Sequence, residues 1–221
     1  MAKKSTKSLS AAVSAEIKSK FDLNKFKASK GLNKNVKFKE QKWIPLSPAF
    51  QEVSGVPGIP MGHIVLLRGH SDTGKTTALL EAAVSAQDMG ILPVFIITEM
   101  KWNWEHAAQM GLKVNLIKDD EGNVIDYEGD FIYVDRETVH TVEDVAAFIM
   151  DLQNEQKNGN LPTDLAFFWD SIGSIPCAMS VEKLKNNNEW NAGAMSTQFG
   201  NTVNQSIVMS RKESSPYTNS L

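Results

Sequence analysis

The stretch Ile64-Val-Leu-Leu-Arg-Gly-His-Ser-Asp-Thr-Gly-Lys-Thr-Thr-Ala-Leu-Leu-Glu-Ala-Ala83 decides the fold. Its first four residues, Ile64 to Leu67, read as a short buried strand. From Lys75 onward a helix with Thr77, Ala78, Leu79, Leu80, Ala82 and Ala83 is expected to leave the loop. Between strand and helix stand Gly69, His70, Ser71, Asp72, Thr73, Gly74, Lys75 and Thr76, which match G-x-x-x-x-G-K-[ST] in full. The pattern has a mechanical reading. Glycines at 69 and 74 let backbone N–H groups turn toward a phosphate at the start of a helix, where the dipole favours an anion. Lys75 then reaches the β and γ phosphates, Thr76 offers a hydroxyl to magnesium, and Thr77 follows in the first turn, so ATP and Mg2+ are the expected cofactors.

Working outward, apolar runs of strand length alternate with helical periods. Ile64–Leu67, Val94–Thr98, Phe131–Val134 and Leu165–Trp169 are the expected strands. Lys75–Met89, Asn103–Met110 and Val142–Gln156 are the expected helices, with a last helical stretch from about Ala192 to Arg211. Such alternation predicts an α/β fold, a mostly parallel sheet with helices on both faces. Lys118 to Asp130 carries Glu-Gly-Asn and Glu-Gly-Asp turn signals around a short apolar pair and reads as an acidic surface hairpin.

In a parallel sheet ligands collect at the carboxyl ends of the strands, which picks out two acids. Asp170 closes Leu165–Trp169 and is the expected second magnesium ligand. Glu99 follows Val94–Thr98 and is the candidate to orient or deprotonate an attacking water, with Lys75 as its catalytic partner. A plain helix N-terminal acid is the alternative for Glu99.

Composition narrows the classes further. At 221 residues with 42% hydrophobic and 22% charged residues, the chain is large enough to bury a real core. No run approaches a membrane span and the amino terminus lacks an apolar signal, so a soluble, cytoplasmic protein is expected. Cys177 is the single cysteine and the four histidines are scattered, which excludes an internal disulfide and a zinc-ligand pattern. Residues 1–42 carry twelve lysines against Glu16, Asp22 and Glu40, although the whole chain has a net charge of −3. They form a basic arm with a short helix expected over Ser10–Lys20 and a linker from Phe26 to Lys42; residues 43–221 form the folded core. The arm suits a polyanion, a neighbouring copy of the chain, or simple solvation.

With these motifs in hand, the chain resembles the ATPase core of the RecA-type recombinases, including those of phages. Pro45-Leu-Ser-Pro-Ala-Phe50, Gly58-Ile-Pro-Met-Gly-His-Ile-Val65, the Gly69–Thr76 loop, Glu99, Ala108-Gln-Met-Gly-Leu112 and Trp169-Asp-Ser-Ile172 stand in the family's order, over roughly residues 43 to 211. The resemblance implies a RecA-like P-loop NTPase that hydrolyses ATP as a filament on single-stranded DNA. It implies that Glu99 activates water, that Asn103 and His106 lie near the adenine, and that Lys183, Lys185 and Trp190 belong to a DNA-binding loop. The amino-terminal segment, with Phe21 and Phe26 as anchors, would dock on a neighbouring subunit, making a homo-oligomer. A hexameric replicative helicase with the same core, or a regulatory ATPase acting through protein partners, is the alternative.

Three departures from the family pattern stand out. Thr98 occupies a position often acidic in the family, and Lys118–Gly129 lengthens the path to the next strand. After Arg211 the tail stops where the family runs into another core strand, so no γ-phosphate sensor or second DNA loop is identifiable. A sheet lacking interior strands exposes an apolar edge, which favours an amino-terminal fragment over a reduced paralogue.

Overall fold

A computed structural model describes residues 22–31, 37–99, 101–178, 181 and 203–221. The expected helix over Ser10–Lys20, the DNA-loop residues Lys183, Lys185 and Trp190, and residues 192–202 of the last expected helix lie outside the described residues. The chain divides into two compact units, Met1–Lys37 and Phe38–Leu221.

In the first unit α1 spans Leu23–Ser29, inside the stretch expected to be partly linker. Asp22 makes the difference. Its Oδ1 accepts from the backbone N–H groups of Asn24 at 2.9 Å and Lys25 at 3.1 Å. An N-cap of this kind satisfies donors that the first helical turn leaves open, so a helix starts without a long apolar period.

The second unit is built on three parallel strands: β3 (Leu92–Ile97) lies between β6 (Ile132–Asp135) and β7 (Leu165–Asp170). The strands bury a helix on each face. Phe95 and Ile97 of β3, with Ala166 and Phe168 of β7, pack with Leu80, Ala82, Ala83 and Ala86 of α3 (Lys75–Asp88). The alternate residues Val94 and Ile96, with Leu165 and Phe167, pack with Val142, Val145 and Ile149 of α5 (Val142–Asn158). Period-2 alternation along doubly buried strands is what places one helix on each side. The fold is α/β, but its sheets are mixed: β1 (Trp43–Pro45) pairs antiparallel with β2 (Gly58–Pro60), and β4 (Val114–Lys118) pairs antiparallel with β5 (Val124–Gly129). Between β1 and β2 runs α2 (Pro48–Ser54), capped by Ser47.

The acidic hairpin forms as expected and extends back to Val114. It also braces the core. Tyr127 of β5 stacks on Trp104 of α4 (Trp104–Gln109) at 4.1 Å between ring centroids, and Trp104 stacks in turn on Phe131 at 5.0 Å. Burial, with Asp135 nearby, pushes the Tyr133 hydroxyl beside this cluster up to about 12.

Two expectations about the sheet are corrected. Ile64–Leu67 pairs only at its start: Leu221 N donates to His63 O at 3.1 Å, and Val65 N donates to Leu221 O at 2.7 Å. Leu66 is 72% exposed and, with Phe168 and Leu221, lines a cavity of about 140 Å³. The segment after Arg211, read as a tail, instead enters the sheet. Ser220 bridges Ala166 in parallel, with Phe167 N donating to Ser220 O at 2.8 Å and Ser220 N to Leu165 O at 3.0 Å. A buried amide pair holds it there: Asn219 Nδ2 donates to Gln156 Oε1 at 2.7 Å, and Leu165 N donates to Asn219 Oδ1 at 3.0 Å. Polar side chains carry this anchoring, so no apolar period announced it. Among the described residues no helix is long and apolar enough to cross a membrane.

Candidate functional site

The Gly69–Thr76 loop lies between the 63–65 segment and the start of α3, and its backbone explains two of its residues. Gly74 has φ 85°, a left-handed conformation that glycine adopts without cost. A Cβ at Gly69 would stand 2.8 Å from Thr73 Oγ1, so this position is closed to a side chain unless Thr73 gives way. Asp72 is the one described non-glycine residue at positive φ, 59°, a region that aspartate tolerates better than bulkier residues. Thr73 Oγ1 donates to His70 O at 2.8 Å, closing the loop on itself. Lys75 Nζ folds back into the loop and donates to Gly69 O at 3.2 Å and His70 O at 2.6 Å. The amine therefore sits over the loop, satisfied by two neutral carbonyls.

Parallel pairing brings the strand ends together. Ile97 stands opposite Asp170 in the β3–β7 register, so the residues after both strands emerge at one edge. Thr76 Oγ1, in the first turn of α3, donates to Asp170 Oδ2 at 2.6 Å. A hydroxyl and a carboxylate oxygen in contact are the donor type that hard divalent cations take. The backbone N–H groups of Thr98 and Glu99 both donate to Asp170 O, at 2.8 and 3.1 Å. The Asp170–Ser171 peptide is cis. Ser171 Oγ donates to Glu99 Oε1 at 2.6 Å, leaving Oε2 without a donor among the described residues.

Lys75, Thr76, Asp170 and Glu99 thus gather around one edge, whereas Asn103 and His106 are used differently. Asn103 Oδ1 caps α4 by accepting from His106 N at 2.9 Å, and no hydrogen bond joins either residue to the Gly69–Thr76 loop. Ser71 and Thr77 are exposed. Among the described residues no group of three or more histidines, cysteines or acids stands ready to hold a metal by itself.

Three polar residues matter more than sequence reasoning anticipated. Thr98, 1% exposed, donates through Oγ1 to Ser171 O at 2.8 Å and accepts from Trp169 Nε1 at 3.0 Å and Ser174 Oγ at 2.7 Å. Ser171 and Ser174 complete the cluster. The available signal was a hydroxyl beside each strand-end acid, Thr98 before Glu99 and Ser171 after Asp170, but only the register shows that they meet.

No protein-family model matches the chain. Similarity appears instead to RecA proteins of many taxa. The RecA of Arthrobacter sp. (strain FB24) is 34% identical over 71 residues, which is 32% of this chain and 20% of that relative. The RecA of Geobacter sulfurreducens is 36% identical over 61 residues, 28% of this chain and 18% of the relative. The RecA of Pseudomonas fluorescens (strain SBW25) is likewise 36% identical over 61 residues, covering 17% of its length. The matched region amounts to about a fifth of each of these curated relatives. This partial similarity is consistent with a distant relationship to the RecA family.

Proposed function

We propose that this chain is the ATP-binding core of a DNA recombination and repair protein, which hydrolyses ATP and assembles with further copies on single-stranded DNA in the cytoplasm. The observation that carries the reading is the convergence of Lys75, the Thr76–Asp170 oxygen pair and Glu99 at the carboxyl edge of adjacent parallel strands. The residues fit the implied groups. Gly69 and Gly74 form a backbone cradle that side chains would disturb, and the Thr76 and Asp170 oxygens suit magnesium. Magnesium, when bound, neutralises charge on the β and γ phosphate oxygens.

Thr76 and Asp170 would hold that ion, with the rest of its shell left to phosphate and water. Lys75 exchanges the carbonyls of Gly69 and His70 for phosphate oxygens, turning a neutral contact into a charge-assisted one. The N–H groups at the start of α3 face the same anion. Glu99, held at Oε1 by Ser171, accepts a water proton at Oε2. The roles of Asn103 and His106 beside the base, and of Lys183, Lys185 and Trp190 on DNA, belong to the same proposal. The distant relationship to RecA supports the DNA-repair part of the reading.

Lys75→Ala tests the nucleotide assignment, because it deletes a cation from an accessible loop without touching the core. Nucleotide titration should show a loss of magnesium-ATP binding or turnover while circular dichroism stays unchanged. A folded variant that binds and turns over ATP like the unsubstituted protein would sink the assignment.

A further inference from the structure

We propose that Ser171 is the positioning residue of the Glu99 carboxylate, locked for that task by the buried Thr98 hydroxyl; the inference rests on the catalytic reading of Glu99 given above. The geometry leaves the hydroxyls little freedom. Thr98 Oγ1 gives its one hydrogen to Ser171 O and accepts from Trp169 Nε1, with the Ser174 hydroxyl within reach of its second lone pair. Ser174 Oγ lies 2.7 Å from both Thr98 Oγ1 and Ser171 O, so its single hydrogen reinforces the same cluster either way. Ser171 is thereby fastened by its carbonyl. Its own hydroxyl hydrogen is directed at Glu99 Oε1 at 2.6 Å.

Glu99 needs such a partner. It follows the last residue of β3 by two positions, where the ladder no longer fixes a side chain; only its backbone is held, Glu99 N donating to Asp170 O and Glu99 O accepting from Lys101 N at 2.9 Å. A carboxylate free to rotate about its side-chain bonds presents its oxygens in many directions, and a displacement near 1 Å costs catalysis on the order of 100-fold. The Ser171 bond selects one direction and reserves Oε2 for water. Because Asp170 precedes Ser171, the same short segment that presents an oxygen to the metal also aims the base. That coupling arises from two adjacent strand ends, not from any contact with nucleotide.

A double-mutant cycle on magnesium-ATP hydrolysis by the full chain with single-stranded DNA tests this. Ser171→Ala should lower turnover by ~10- to 100-fold with a change in KM below about threefold, since ground-state nucleotide contacts are untouched. Ser171→Thr, which keeps the hydroxyl, should restore most of the loss. In the Glu99→Gln background Ser171→Ala should change turnover by less than about twofold, because residues acting as a unit do not add. An equal loss in both backgrounds, or no loss in the single variant, overturns the positioning role while leaving the catalytic reading of Glu99 in place. Full turnover by Glu99→Gln, or none by the unsubstituted protein, overturns the catalytic reading itself and this inference with it. A Ser171→Ala chain that loses its circular dichroism signature hands the decision to Thr98→Val, which deletes the hub hydroxyl: turnover equal to the unsubstituted protein overturns the proposal, and a loss confined to the Glu99 background supports it.

Discussion

At the scale of single residues, the candidate site is a set of groups that satisfy one another without a ligand. Lys75 rests on two carbonyls, Thr76 on Asp170, and Glu99 on Ser171. The Lys75 and Thr76 contacts are replaceable by phosphate or metal at modest cost because these groups lie at an accessible edge. Glu99→Gln separates binding from chemistry. The amide keeps the size and the Ser171 contact but cannot accept a proton, so ATP affinity is retained while hydrolysis falls by ~100-fold or more. Turnover at saturating single-stranded DNA, compared with nucleotide affinity, measures both halves of that expectation; unimpaired hydrolysis would move the base to another residue.

Individual elements show how local chemistry sets boundaries. α5 begins with a capping box in which Thr141 Oγ1 accepts from Asp144 N at 3.2 Å and the Asp144 carboxylate accepts from the N–H groups of His140 and Thr141 at 2.9 and 2.8 Å. Thr141→Ala should cost about 1 kcal/mol of stability, read as a lower urea midpoint with an unchanged slope. Burial works against ionisation of Asp144, yet the donors from His140 and Thr141 hold its carboxyl below the usual range. A depressed folded value contributes stability that is present above the unfolded value and is lost as pH falls through the folded one. Acid titration of Thr141→Ala should therefore show a smaller loss of stability across the lower carboxylate range than the unsubstituted protein shows. α1 makes the same point about caps: Asp22 starts a helix where lysine-rich composition alone reads as linker.

For the molecule as a whole, the decisive feature is the segment Thr218–Leu221 between β7 and the 63–65 segment. Its anchor is one buried amide pair. Asn219→Ala strips partners from the buried Gln156 and from Leu165 N, which should destabilise the second unit by about 2 kcal/mol or more. Equilibrium denaturation followed by tryptophan emission checks this; an unchanged midpoint would mean that the segment contributes nothing to the sheet. Charge also acts at this scale. With a net charge of −3 the protein attracts a polyanion only through local cations. Replacing both Lys183 and Lys185 by alanine should reduce the steepness of the log-affinity against log-salt plot for single-stranded DNA by about 1.4, at roughly 0.7 per phosphate contact. An unchanged slope would place the DNA path elsewhere.

What the sequence determined by itself was most of what short-range pattern governs, with Ile64–Leu67 and the Asp22-capped α1 as exceptions. The alternation of apolar runs and helical periods announced β3, β6, β7, α3, α4 and α5 to within a few residues, because burial on two faces demands those periods. The spacing of Gly69, Gly74, Lys75 and Thr76 announced a tight loop at the start of α3, and the acids at the ends of β3 and β7 announced one edge. Only the tertiary structure decided how those pieces are held. Asn219 and Gln156 are 63 positions apart, Thr98 and Ser171 are 73, and Ser171 and Glu99 are 72. Hydrogen bonds between single polar side chains leave no period in the sequence, and their partners become neighbours only once the strands are in register.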